Sequence, residues 1–160
     1  EDVVELTVAL AVEMLAAAGI DDVDPAQTLK DGTAMDRWRA MIAAQGGDPA
    51  APLPTAAHTE TVMAPSSGVL TRLDAMAVGL AAWRLGAGRA RQGEQVQAGA
   101  GVVMHAKPGD RVEAGQPLLT LHTDTPEAFA DASTALEGGW AIGPADAAPQ
   151  HDSSILDRIG

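Results

Sequence analysis

The chain contains no cysteine. That excludes a disulfide frame, a thiol nucleophile and any cysteine-based metal site. Aromatic residues are nearly as scarce: Trp38, Trp83, Trp140 and Phe129 make up 2% of the sequence. A core must therefore be built from Ala, Val, Leu, Ile and Met, which pack in small volume increments. Positive charge is also in short supply. Ten Lys and Arg against 22 Asp and Glu leave a net charge of −12. Such a surface repels nucleic acid and anionic lipid at long range, which argues against both as partners. Beyond that, acidity serves solubility and names no partner. No apolar run approaches the roughly 18 residues that a membrane span needs. No signal peptide opens the chain, and a cytoplasmic location fits. The sequence begins at EDVVELTVAL, already inside a helical pattern and without an initiator methionine, as at a cut.

What is present suffices for a core. Of the 160 residues, 46% are hydrophobic, enough for one domain or one and a half. Residues 3–18 read as a buried helix: Val4, Val8, Ala11, Leu15 and Ala18 follow helical spacing, and Leu6, Leu10 and Met14 widen the apolar face. Gly19 suits its C-terminal cap. DDVDPAQTLKDG reads as a turn with a short helix starting near Pro25. A further helix is expected over 34–45, capped by Thr33, with Met35, Trp38, Met41, Ile42 and Gln45 on one face. GGDPAAPLPTA, residues 46–56, is a Pro/Gly/Ala linker and a candidate boundary.

The period then changes to that of strands. TETVMAP alternates, and GVLTRLDA places Val69, Thr71 and Leu73 on one face. An alanine-rich helix is expected over 75–85, and another at about 126–137. Between 101 and 123, GVVMHAKPGDRVEAGQPLLTLHT reads as a strand hairpin with turn signals at Pro108-Gly109-Asp110 and Gly115-Gln116-Pro117. GWAIG is a final strand, followed by a second linker at 143–152 and a tail, SSILDRIG, able to return as a short strand.

Each candidate for chemistry has a blander explanation. The 101–123 stretch looks like the hairpin of a lipoyl- or biotin-carrying domain. Lys107, however, lies upstream of GDRVEAGQPL, and the downstream tip, LTLHTDTP, has no lysine. Lys107 therefore reads as a solvated turn residue. The histidines, His58, His105, His122 and His151, form no HxH, HExxH or i,i+4 pair of the kind zinc uses. His105 and His122 sit near strand ends and are candidates for spatial neighbours, with no third ligand in view. RLGAGRARQG combines glycines and arginines, but Gly86 and Gly88 follow a helix, whereas a phosphate loop precedes one. The carboxylates of DDVDP lack the glycine turn and distal glutamate of a calcium loop. Asp131, Glu137, Asp146 and Asp152 fall in helix ends or linker. No catalytic, cofactor-binding or metal-binding residue is assigned.

The order of segments says more than any one residue. DVVELTVALAVEMLAAAG, DGTAMDRWRAMIAAQGGDP, LPTA, SGVLTRLDAMAVGLAAWRLGAGRAR, QAGAGVVMHAKPGDRVEAGQPLLTLHTD and ILDRIG resemble, in this order, the C-terminal part of pyrimidine-nucleoside phosphorylases, thymidine phosphorylases among them. The resemblance implies an α/β (α+β) fold. Residues 1–46 would be helices flanking the large domain's sheet, 47–56 a linker, and 57–160 an α/β-hammerhead region on a barrel-sandwich core. It implies a parent enzyme that splits pyrimidine nucleosides with phosphate into base and pentose 1-phosphate, acts as a homodimer and uses a monovalent cation. The family's phosphate loop, base-binding Arg, Ser and Lys, and cation ligands match no position here. The chain alone is therefore expected to be inactive and to need an N-terminal partner segment. Two alternatives remain: a non-enzymatic carrier module modified at Lys107, and a structural fragment that oligomerises through its first helix.

Overall fold

The computed structural model describes residues 2–89 and 91–144, together with Asp146, Ile155 and Asp157. His151, Asp152, most of the 143–152 linker and most of the tail lie outside the described residues. The chain divides into two compact units, with the break after Pro52.

The first unit carries three helices: α1 (Asp2–Ala17), α2 (Pro25–Lys30) and α3 (Thr33–Ala44). Helix α1 ends at Gly19, whose φ of 69° is the left-handed conformation that glycine adopts without penalty. Helix α2 starts on Pro25, and the Asp24 carboxylate caps it by accepting from the Ala26 N–H at 2.9 Å.

Two expectations need correction. Thr33 does not cap α3 with its side chain. The Asp31 carboxylate accepts from the Thr33 N–H at 2.9 Å, while Gly32 turns the chain at φ 89°. A carboxylate two residues back reaches the first amide because glycine permits that turn. Nor is α1 buried. No described residue between 2 and 52 is buried, since three short helices have too little mutual surface to enclose a side chain.

The Asp31 carboxyl is held below its ordinary value of 3.8, first by the backbone N–H of Thr33 and then by its hydroxyl. A depressed folded-state pKa stabilises above the unfolded value and is lost as pH falls through the folded one. Helix α3 should therefore fray at its N-terminus below about pH 4, as read by NMR chemical shifts, and Asp31→Asn should flatten that response.

The second unit is built on two three-stranded antiparallel sheets with the orders β1-β5-β3 and β4-β2-β6. The strands are β1 (His58–Met63), β2 (Gly68–Leu73), β3 (Gly101–Met104), β4 (Arg111–Val112), β5 (Pro117–Thr123) and β6 (Trp140–Gly143). Helices α4 (Ala75–Ala82) and α5 (Ala128–Leu136) pack on them. Helix α4 begins where the Asp74 carboxylate accepts from the Met76 and Ala77 amides, and it runs into a π-turn over Trp83–Ala87.

The 101–123 stretch is not a simple hairpin. Strands β3 and β5 pair directly, Val102 opposite Leu121, but the chain between them crosses to the other sheet and supplies β4 beside β2. Its two turns are stitched to other strands by their backbones. Gly109 donates to the Leu70 carbonyl and Leu70 to that of Asp110, at 2.8 and 2.9 Å. Gly115 donates to the Ala64 carbonyl and Ala64 to that of Gln116, both at 2.8 Å. Each turn thereby satisfies backbone groups that a free hairpin loop would leave to water.

The core lies between the sheets and the helices. It comprises Leu70, Leu85, Leu118, Leu119, Leu121 and Leu136 with Val112 and the alanines Ala64, Ala81, Ala106 and Ala132. Trp140, Phe129 and Ile142 pack against its margin. Methionine, expected inside, is not; all six are exposed. Strand β2 also departs from alternation. Val69 and Leu70 are both buried while Thr71 is exposed, because the pairing with β6 shifts between Leu70 and Arg72. Such a bulge rotates the strand and re-aims consecutive side chains.

Candidate functional site

Among the described residues, no group of three or more His, Asp or Glu is placed to hold a metal ion. His105 points its Nε2 at the Thr120 hydroxyl, 2.7 Å away. Its backbone sits opposite Leu118, bonded at 2.8 Å, whereas Gly101 lies opposite His122. The two backbones are thus four strand positions apart along β5, about 13 Å, while the His105 ring reaches Thr120, two positions from His122. His58 starts β1 opposite Thr123, exposed.

Lys107 is exposed and opens the turn at Pro108. Its N–H donates to the Asp110 carboxylate at 2.7 Å, and the Asp110 N–H returns to the Lys107 carbonyl at 2.9 Å. Gly86 and Gly88 end the α4 segment, Gly86 at φ 105°. Beside them Arg84 lies 4.7 Å over the Trp83 ring, and the Trp83 indole N–H donates to the Arg89 carbonyl at 3.2 Å. Asp131 joins Leu80, Arg84, Thr134 and Ala135 around a groove of about 270 Å³. Glu137 follows the last turn of α5, and Asp146 is exposed. Asp24 caps α2, and Asp21 and Asp22 are exposed beside it.

The organised polar centre of this unit lies elsewhere, where the sequence reading assigned nothing. Thr123, at the end of β5, is fully buried. Its hydroxyl donates to the Leu85 carbonyl at 2.7 Å and accepts from the Thr125 N–H at 3.1 Å. Gln97 completes the knot. Its amide oxygen accepts from the Asp124 N–H at 2.7 Å, its NH₂ donates to the Thr125 hydroxyl at 3.0 Å, and its own N–H donates to the Gly86 carbonyl at 2.9 Å. The Asp124 carboxylate also accepts from the Ala57 N–H at 2.8 Å. The carbonyls that the π-turn releases from the helical ladder are captured here. Gly86 is required at this point, since a Cβ would fall 2.8 Å from the Gln97 side chain and φ is positive. The signal in the sequence was a threonine in register with Leu119 and Leu121, where an inward apolar residue is the rule.

This knot lies at the downstream turn, LTLHTDTP, which carries no lysine. Asp124 and Thr125 are instead fastened inward by Gln97. Thr123→Val keeps the shape but leaves the Leu85 carbonyl and the Thr125 amide without their partner. The expected cost is about 1–3 kcal/mol, read as a lower midpoint in urea at unchanged slope.

Comparison with known proteins accords with this scaffold. Residues 69–143 match the family model described as the pyrimidine nucleoside phosphorylase C-terminal domain. A thymidine phosphorylase of Mycobacterium tuberculosis (strain H37Rv) is 60% identical over 158 residues, covering 99% of this chain and 36% of the relative. One from Burkholderia cenocepacia (strain HI2424) is 37% identical over 157 residues, covering 91% and 36%. The pyrimidine-nucleoside phosphorylase of Bacillus subtilis (strain 168) is 34% identical over 135 residues, covering 78% and 31%. Nearly the whole chain is thus similar to pyrimidine-nucleoside phosphorylases, and residues 69–143 match that family's C-terminal domain. The chain spans about a third of the length of these relatives. The matched segment runs from β2 to β6, and β1, which lies before it, supplies one edge of the β1-β5-β3 sheet. No helix among the described residues is long and apolar enough to cross a membrane.

Proposed function

We propose that this chain is the scaffold third of a cytoplasmic enzyme that cleaves pyrimidine nucleosides with phosphate, yielding the free base and a pentose 1-phosphate. The supporting observation is the 60% identity to a thymidine phosphorylase over 158 residues. In this reading residues 57–160 are the family's hammerhead region, on the two antiparallel sheets. Residues 1–46 are helices of the larger α/β domain, and 47–56 link the two. The whole enzyme works as a homodimer, and its phosphate, nucleoside and monovalent-cation sites lie on the segment outside this chain.

The chemistry supports that division. Phosphorolysis builds positive charge on the sugar and negative charge on the departing base. It needs a cationic, amide-lined pocket for phosphate and a donor aimed at the base. A chain of net charge −12 with no phosphate-loop motif in its sequence is not expected to supply these alone. In this reading its hammerhead region borders the domain cleft, and closure of the large domain against the small one would exclude water from the reaction. The purified chain, incubated with thymidine and phosphate, should release no thymine by chromatography. The same assay on the full-length polypeptide should release it. Turnover by the chain alone, or none by the full-length protein, overturns the proposal.

A further inference from the structure

Helices α4 and α5 pack against each other within the second unit. Leu80 and Arg84 are four residues apart on the α4 segment, and Asp131 and Thr134 are three apart on α5, so each pair shares one helix face. With Ala135 they line the groove of about 270 Å³. Two opposite charges flank it and are not spent on each other. Among the described residues neither Arg84 nor Asp131 forms an ion pair, and the Asp131 carboxylate accepts no hydrogen bond. The Arg84 guanidinium is held 4.7 Å over the Trp83 ring, a contact that consumes none of its N–H donors. Thr134 gives its hydroxyl proton to the Ala130 carbonyl at 3.0 Å, so its oxygen is left as an acceptor. The α4 side of the groove therefore offers charged donors and the α5 side acceptors. Leu80, 45% exposed, and half-buried Ala135 add apolar wall.

We propose that this groove binds a small zwitterion, an α-amino acid with an aliphatic side chain. Its carboxylate meets Arg84, its ammonium meets Asp131 and Thr134, and its side chain lies against Leu80 and Ala135. Charge complementarity selects this class. A simple anion sets like charge against Asp131, and a simple cation does so at Arg84. Only a ligand carrying both signs satisfies the two walls, and three ammonium donors suit two acceptors on one helix face. Volume sets the size. At about 30 Å³ per water-sized atom the groove takes roughly nine, the heavy-atom count of leucine. The inference does not depend on the enzymatic reading.

NMR on the 160-residue chain, titrated with L-leucine at constant ionic strength, tests this. The Leu80, Thr134 and Ala135 signals should shift saturably, with a dissociation constant on the order of 1 mM. Glycine, which lacks the side chain, should bind about tenfold more weakly. Arg84→Gln and Asp131→Asn should each weaken leucine about tenfold. Two analogues separate the ends. 4-Methylpentanoate, without the ammonium, should be sensitive to Arg84→Gln and not weakened by Asp131→Asn. 3-Methylbutylamine, without the carboxylate, should show the reverse. Both variants alter exposed side chains, so the β5 signals should stay in place. Absence of saturable shifts at about tenfold above that constant overturns the proposal. So does glycine binding as tightly as leucine, or leucine binding that either variant leaves intact.

Discussion

Gly68→Ala is expected to part β2 from β6. A Cβ at residue 68 would fall on the carbonyl oxygen of Gly143 and 2.5 Å from the Ile142 side chain. The obstruction is partly backbone, so no rotamer change clears it. Either β6 moves away, abandoning the Val69–Gly143 and Leu70–Ile142 pairings, or β2 slides. Both lose ladder bonds and unseat Trp140, which pairs with Leu73. Overpacking of this kind costs about 1–3 kcal/mol, and the upper end applies when the neighbour is main chain. Thermal unfolding followed by circular dichroism checks the loss. Retention of the wild-type midpoint would show that the sheet edge yields freely. Gly143→Ala is the milder comparison, because its Cβ meets the Thr71 Cγ2 at 2.6 Å, a side chain able to turn.

Leu121→Ala should be more damaging still. Leu121 lies at the centre of β5, the strand that both β1 and β3 pair with, and it is fully buried. Its truncation removes the transfer free energy of the lost carbons and leaves a cavity among neighbours fixed by sheet and helix. The expected cost is about 2–5 kcal/mol, a large share of the ~5–15 kcal/mol that holds a typical domain together. Chemical denaturation measures it directly. Leu6→Ala in the same chain provides the contrast. Leu6 is exposed, so little should change.

These two positions also mark how far the chain can be read without coordinates. Helices α1, α3 and α4 were legible from apolar period and from punctuation by Gly19, Gly46 and Gly86. The strands from Thr59 onward were legible from alternation and turn residues. The family resemblance was legible from the order of segments. The caps were read less well. Thr33 is a plausible cap by type, but it lies inside the helix, where the Asp31 carboxylate reaches its amide through the turn at Gly32, and only backbone geometry separates the two. The β2 faces were misread because one bulge between Leu70 and Arg72 changes which residues point inward, and a bulge has no fixed sequence mark.

The candidate site shows the same limit. Lys107, the histidines and the Gly86–Gly88 turn drew attention because their residue types carry chemistry. The organised polar centre was made of Thr123 and Gln97, which do not advertise themselves. They meet across 26 residues because β5 ends where the α4 segment loosens into its π-turn. Likewise, His105 and His122 were candidates for spatial neighbours, and only the pairing register shows that the backbone of His105 stands opposite Leu118, four positions along β5 from His122.

By itself, then, the amino-acid sequence determined the local elements, the acidic and thiol-free character, and the family resemblance. All of these depend on residue type and spacing along the chain. Tertiary structure alone decided that residues 101–123 divide between two sheets, that Thr123 is the polar keystone, and that α1 is not buried. Those outcomes depend on which distant backbone groups find partners and how much surface neighbouring elements can cover. Neither quantity is additive along a chain.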